Sequence, residues 1–97
     1  MKCWVYRMNE YLIKTEYDVT GDVFREQCGM VEKNIPGIVK GKLLIDVDSS
    51  LIQEYALDGE DIFVFNSTYW DSVHIKSNLD LTQYPGALMD GYRVYTE

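Results

Sequence analysis

Two alternating seven-residue runs, Leu51–Leu57 and Glu60–Asn66, flank Asp58-Gly59, and this arrangement constrains the chain more than any other feature. Asp-Gly tolerates the positive φ angles of a type I′ turn, whose twist matches that of the strands it joins. A two-residue turn then dictates the register. On one face Leu57 meets Glu60, Tyr55 meets Ile62, Gln53 meets Val64 and Leu51 meets Asn66. On the other, Ala56 meets Asp61, Glu54 meets Phe63 and Ile52 meets Phe65. Large apolar groups stand on both faces, which predicts a hairpin covered on both sides near its base and acidic at an exposed tip.

The rest of the chain supplies further strands. Trp4, Tyr6 and Met8 alternate before a weak turn at Asn9-Glu10, and Tyr11 to Val19 forms a nine-residue period-2 run rich in aromatic and β-branched residues. Asp22 can cap a helix over roughly residues 23–33 that presents Phe24, Gln27, Cys28 and Val31 on one side. Gly29 within it costs about 1 kcal/mol relative to alanine. Asn34-Ile35-Pro36-Gly37 ends that helix, because proline cannot donate a backbone bond. Leu43, Ile45 and Val47 alternate into a strand that breaks at Asp48-Ser49-Ser50. Val73, Ile75, Ser77, Leu79 and Leu81 continue as a long strand. Tyr84-Pro85-Gly86 turns the chain towards a short final strand at Tyr92–Thr96.

The expected fold is therefore α+β, a mostly antiparallel sheet of about six strands with one short helix. The alternative is all-β, with Thr20-Gly21 as a hairpin turn. At 97 residues the chain is expected to form a single compact domain over residues 1–97, too short for a barrel enzyme or a full dinucleotide-binding fold. It contains no apolar run long enough for a membrane span and no secretory signal, so a cytoplasmic location with reduced Cys3 and Cys28 is expected.

The formal charge of −7 has a single source. Residues 43–75 contain no Lys or Arg but hold Asp46, Asp48, Glu54, Asp58, Glu60, Asp61 and Asp71. Such a block repels nucleic acid and anionic lipid and attracts a basic protein or a divalent cation. Gathered on one solvent-facing ridge, these carboxylates would act as a single patch.

Within the block, Leu43-Leu44-Ile45-Asp46-Val47-Asp48-Ser49-Ser50 resembles the first motif of the haloacid dehalogenase superfamily, an apolar strand ending in Asp-x-Asp-x-Thr. The resemblance implies a magnesium-dependent phosphatase-like reaction with Asp46 as nucleophile and Asp48 as acid/base. The motif's threonine falls on Ser50, however, and the chain is too short for that family's α/β core. Asp46, Asp48, Asp58, Glu60 and Asp61 also offer hard oxygen ligands, but without the spacing of a calcium loop. His74, beside Lys76 and Asn78, reads as a solvated polar residue, and Cys28 as core. Neither a glycine-rich phosphate loop nor a basic groove is present. The chain is thus expected to be neither an enzyme nor a cofactor or metal binder.

Tyr69-Trp70, in a loop beside Asp71, have the composition of an interface anchor. The expected function is that of a small acidic protein-binding module that inhibits or neutralises a basic partner, such as a nuclease or another nucleic-acid-binding protein. Immunity proteins, antitoxins and phage-encoded antagonists act in this way. Glu54, Tyr55, Asp58, Glu60, Asp61, Tyr69, Trp70 and Asp71 are the expected contact residues. The alternative is a structural subunit that self-assembles as a homo-oligomer.

Overall fold

The computed structural model describes residues 9–95. Cys3 and the alternating run from Trp4 to Met8 lie outside them. The elements are β1 (Asn9–Lys14), α1 (Asp22–Asn34), β2 (Val39–Ile45), β3 (Leu51–Leu57), β4 (Glu60–Ser67), β5 (Ser72–Ser77), a 3₁₀ turn (Leu81–Gln83) and β6 (Arg93–Tyr95). The strands form one open sheet in the order β2-β3-β4-β5-β1-β6, and every neighbouring pair is antiparallel. This is the α+β architecture, and no described helix is long and apolar enough to cross a membrane.

The β3–β4 hairpin follows the register set by its turn at all seven pairs, from Leu57↔Glu60 to Leu51↔Asn66. Asp58 and Gly59 take φ of 52° and 83°, the left-handed pair that a type I′ turn requires. The helix covers one face. Phe24, Cys28 and Val31 pack onto Tyr55, Ile62, Val64, Ile75 and Tyr11, and Leu81, Ala87 and Leu88 close the core from the C-terminal segment. Gln27, fully buried, ties that segment down: its amide donates to Ala87 O at 2.6 Å and accepts from Met89 N at 3.0 Å.

Five local expectations fail for identifiable reasons. Asn9 and Glu10 form no turn but begin β1, paired with Ser77 and Lys76 of β5. The run from Tyr11 stops pairing at Lys14, because Asp18 turns inward to serve the helix. The helix is capped by Asp18 and not by Asp22: Asp18 Oδ2 accepts from Val23 N at 2.7 Å and Phe24 N at 3.1 Å. Val47 belongs to the turn after β2 and is fully exposed there. The strand through Val73 ends at Ser77, and Asp80 starts a 3₁₀ turn by accepting from Thr82 N at 3.0 Å. This turn buries Leu81 completely.

The helix-free face of the hairpin also departs from expectation. Ile52, Glu54, Ala56, Phe63 and Phe65 are half-buried, and no second layer covers them among the described residues. Neighbouring side chains shield one another instead. His74 lies flat on Phe65, with ring centroids 4.6 Å apart and planes within 8°.

Candidate functional site

Antiparallel connectivity sends alternate turns to opposite ends of the sheet, and this decides where the acidic residues lie. The β2–β3 turn (residues 46–50), the β4–β5 turn (68–71) and the loop after β1 (15–20) close one end. The β3–β4 tip, with Asp58, Glu60 and Asp61, stands at the other. Six residue steps of β3 at about 3.3 Å each separate the two ends by about 20 Å. The carboxylates of residues 43–75 therefore form no single ridge. Glu54 sits between the ends, half-buried on the helix-free face opposite Phe63.

The three-loop end is cross-braced. Tyr17 donates its N–H to Asp71 Oδ1 at 2.8 Å and its hydroxyl to Ser49 O at 3.1 Å, joining all three loops. Ser50 Oγ accepts from Thr68 N at 2.9 Å and lies 3.1 Å from Thr68 Oγ1. Ser67 Oγ accepts from Trp70 N at 3.0 Å. Ser49 and Asp71 hold φ of 71° and 52°, conformations that non-glycine residues rarely adopt without such support.

This braced end presents apolar surface. Nine large apolar side chains are exposed among the described residues, and five of them, Val19, Ile45, Val47, Tyr69 and Trp70, lie here. Tyr69 and Trp70 pack edge to face with centroids 4.9 Å apart, which limits their rotamer freedom. Trp70 is 62% exposed and so does not plug the core.

Carboxylates surround these side chains. Asp46, Asp48 and Asp71 each spend Oδ1 on a nearby backbone N–H, of Val47, Ser50 and Tyr17 respectively. Glu16 is exposed on the adjoining loop. Hydrogen bonds from the Thr68 hydroxyl and then from the Ser50 backbone hold Asp48 below the ordinary carboxylate value, so it stays charged. Two of the nearby cations are engaged by other carboxylates: Lys14 lies 3.2 Å from Asp18, and Arg25 lies 2.7 Å from Asp22.

From this end a groove of about 450 Å³ runs onto the helix-free face, between Glu10, Leu12, Trp70, Asp71, His74 and Lys76. Lys76 Nζ lies 5.8 Å from the ring centroids of both Trp70 and Phe65. His74 is buried, contrary to the solvated position its neighbours suggest, with one face of its ring against Phe65. Burial, and then the charge of Lys76, push its pKa down to about 4. Its Nδ1 lies 2.8 Å from Ser72 Oγ.

Tyr55 is the one expected contact residue that the fold removes from the surface. It lies under the helix, 2% exposed, and its hydroxyl donates to Glu32 Oε2 at 2.6 Å. Asp58 and Asp61 are exposed at the tip, whereas Tyr69, Trp70 and Asp71 come together at the braced end. Sequence reasoning missed Tyr17, Val19, Ile45 and Val47. No local signal marked the apolar ones, because Val19, Ile45 and Val47 all sit in alternating runs that read as strands.

No family model, curated protein or solved structure matches this chain.

The haloacid dehalogenase resemblance implies a parallel strand followed by a helix, but Asp46 and Asp48 follow an antiparallel edge strand and lead into β3. Among the described residues no three His, Cys, Asp or Glu side chains converge as metal ligands.

Proposed function

We propose that this protein is an acidic protein-binding module that docks a basic partner through its three-loop end and neutralises it. The observation that carries this reading is the coincidence, on one braced surface, of exposed Tyr69, Trp70 and Val47 with the carboxyl groups of Asp46, Asp48 and Asp71. Aromatic anchors supply the desolvated contact, and the surrounding carboxylates steer a cationic surface towards it. A nucleic-acid-binding partner seated there would have its basic surface masked, and inhibition follows from that masking. Relative to the sequence expectation, the contact set keeps Tyr69, Trp70 and Asp71, gains Asp46, Asp48 and Val47, and gives up the hairpin tip, Glu54 and Tyr55.

The test compares four baits in native lysate: the wild type, a Tyr69→Ala/Trp70→Ala variant, a loop variant with Asp→Asn at 46, 48 and 71, and a tip variant with Asp58→Asn, Glu60→Gln and Asp61→Asn. Asparagine keeps each loop acceptor and removes only the charge. A basic protein recovered by the wild type and the tip variant, but lost from the other two, supports the reading. Its association rate should fall with added salt, and should fall less in the loop variant. Equal recovery by the aromatic and loop variants, or loss only from the tip variant, refutes it.

A further inference from the structure

The edge of the sheet at β2 is long, apolar and exposed along its whole length, with Val39, Leu43, Leu44 and Ile45 open to solvent. No described strand pairs with its outer side. The opposite edge, β6, offers three residues among those described. Asp46 N–H donates inward to Ser50 O at 2.9 Å, and the side-chain amide of Gln53 reaches inward to the carbonyls of Gly41 and Lys42. Backbone groups alternate in direction along a strand, so those of Leu43 and Ile45 point outward. They are the groups an added strand would bond.

We propose that β2 pairs antiparallel with β2 of a second copy, about a two-fold axis through Leu44, to give a continuous twelve-stranded sheet. Charge complementarity selects both the occupant and the register. With Leu44 facing its own copy, Leu43 meets Ile45 on the helix side, and Lys42 meets Asp46 on the helix-free side at both ends of the contact. Shifting the axis to Lys42 sets two lysines against each other. Shifting it to Leu43 pairs Lys40 with Asp46, yet the bulge between Lys40 and Leu43 puts these two on opposite faces, and Glu32 already holds Lys40 at 3.2 Å. A two-fold contact uses the β2 edge of both copies and leaves only the short β6 edges among the described strands, so the assembly closes as a pair. An unrelated strand would meet Lys42 without its counter-charge.

Sedimentation equilibrium from about 10 μM to about 1 mM, the range suited to a contact smaller than a standard interface, tests this directly. A monomer–dimer equilibrium is expected. Ile45→Pro removes only an outward N–H and should weaken the dimer at least about tenfold, with the monomer's circular dichroism unchanged. Lys42→Asp should do the same, and the swap Lys42→Asp/Asp46→Lys should restore dimerisation. In a Cys3→Ser background, Leu44→Cys should form an intermolecular disulfide faster than Leu43→Cys, because only residue 44 faces its own copy. Monomers throughout the range, a dimer indifferent to Ile45→Pro, or faster cross-linking at 43 would each overturn the proposal.

Discussion

Replacing Asp18 with alanine should destabilise this protein far more than the loss of an ordinary helix cap. A solvent-exposed cap is worth about 1 kcal/mol. Asp18, in contrast, is 3% exposed, and its Oδ2 takes the N–H groups of Val23 and Phe24 while Oδ1 lies 3.2 Å from Lys14 Nζ. A hydrogen bond to a charged group contributes about 1.5–3 kcal/mol, and the Phe24 N–H would be orphaned in the interior. Lys14 is partly solvated, so its ion pair adds below about 1 kcal/mol. The backbone of Asp18 is also locked to Asn66 by two bonds, at 2.9 Å each, so the loop cannot simply relax. The expected loss for Asp18→Ala is about 3–4 kcal/mol at neutral pH. Asp18→Asn keeps an acceptor and should lose about half as much.

The pH dependence separates a buried anion from a neutral cap. Burial works to raise the Asp18 pKa, but the N–H of Phe24, Lys14 and the N–H of Val23 together bring it below its ordinary value of 3.8. A carboxyl with a depressed folded pKa contributes stability that is complete above the unfolded value and lost as pH falls through the folded one. Wild type and Asp18→Asn should therefore differ at pH 7 and converge as pH falls below 3.8 and through the depressed folded value. Urea unfolding across this range measures the difference. A cost for Asp18→Ala below about 1 kcal/mol, or a gap between wild type and Asp18→Asn that stays constant with pH, would refute the reasoning.

Two further outcomes follow from the same structure. His74 should resist protonation in NMR titration until about pH 4; its folded pKa is depressed, so its contribution is complete above the unfolded value of 6.5 and is lost as pH falls towards 4. Phe65→Ala uncovers the ring and should move that titration back towards 6.5. Gly59→Ala forces a side chain to φ of +83° and should cost about 1 kcal/mol in the same urea assay, with little effect from crowding because nothing lies within 4 Å of the added Cβ.

What could be read from the sequence was whatever local chemistry overdetermines. Asp58-Gly59 admits one turn and one register, and Leu51 to Asn66 obeys it. Phe24, Gln27, Cys28 and Val31 share a helix face by spacing alone, and all four are buried. Where two local signals competed, tertiary partners decided. Tyr11 to Val19 reads as a strand throughout, yet Asp18 is worth more as a buried anion at the helix start than as an outward strand residue. Asp22 holds a good cap position in sequence, but Gly21 takes the left-handed φ and Asp22 is left to Arg25. His74 has the polar neighbours of a surface residue, and only the placement of β4 against β5 brings Phe65 beneath it.

The acidic block shows why a stretch of like charge does not translate into a patch in an antiparallel sheet. Asp48 and Asp58 are close in sequence, but a strand separates their turns, so they stand at opposite ends. Asp48 and Asp71 are far apart in sequence, but two strands separate their turns, so they share an end, where Tyr17 bridges Ser49 and Asp71. In such a sheet a turn is a spatial neighbour of the turn after next, not of the next. The hairpin register, once granted, already implies this division: if Leu57 faces Glu60, then Leu51 and Asn66 mark the far end, and the turns beside them must converge there. The aromatic pair and three carboxylates thus came to one surface by topology, whereas contiguity along the chain had grouped them with the carboxylates of the hairpin tip.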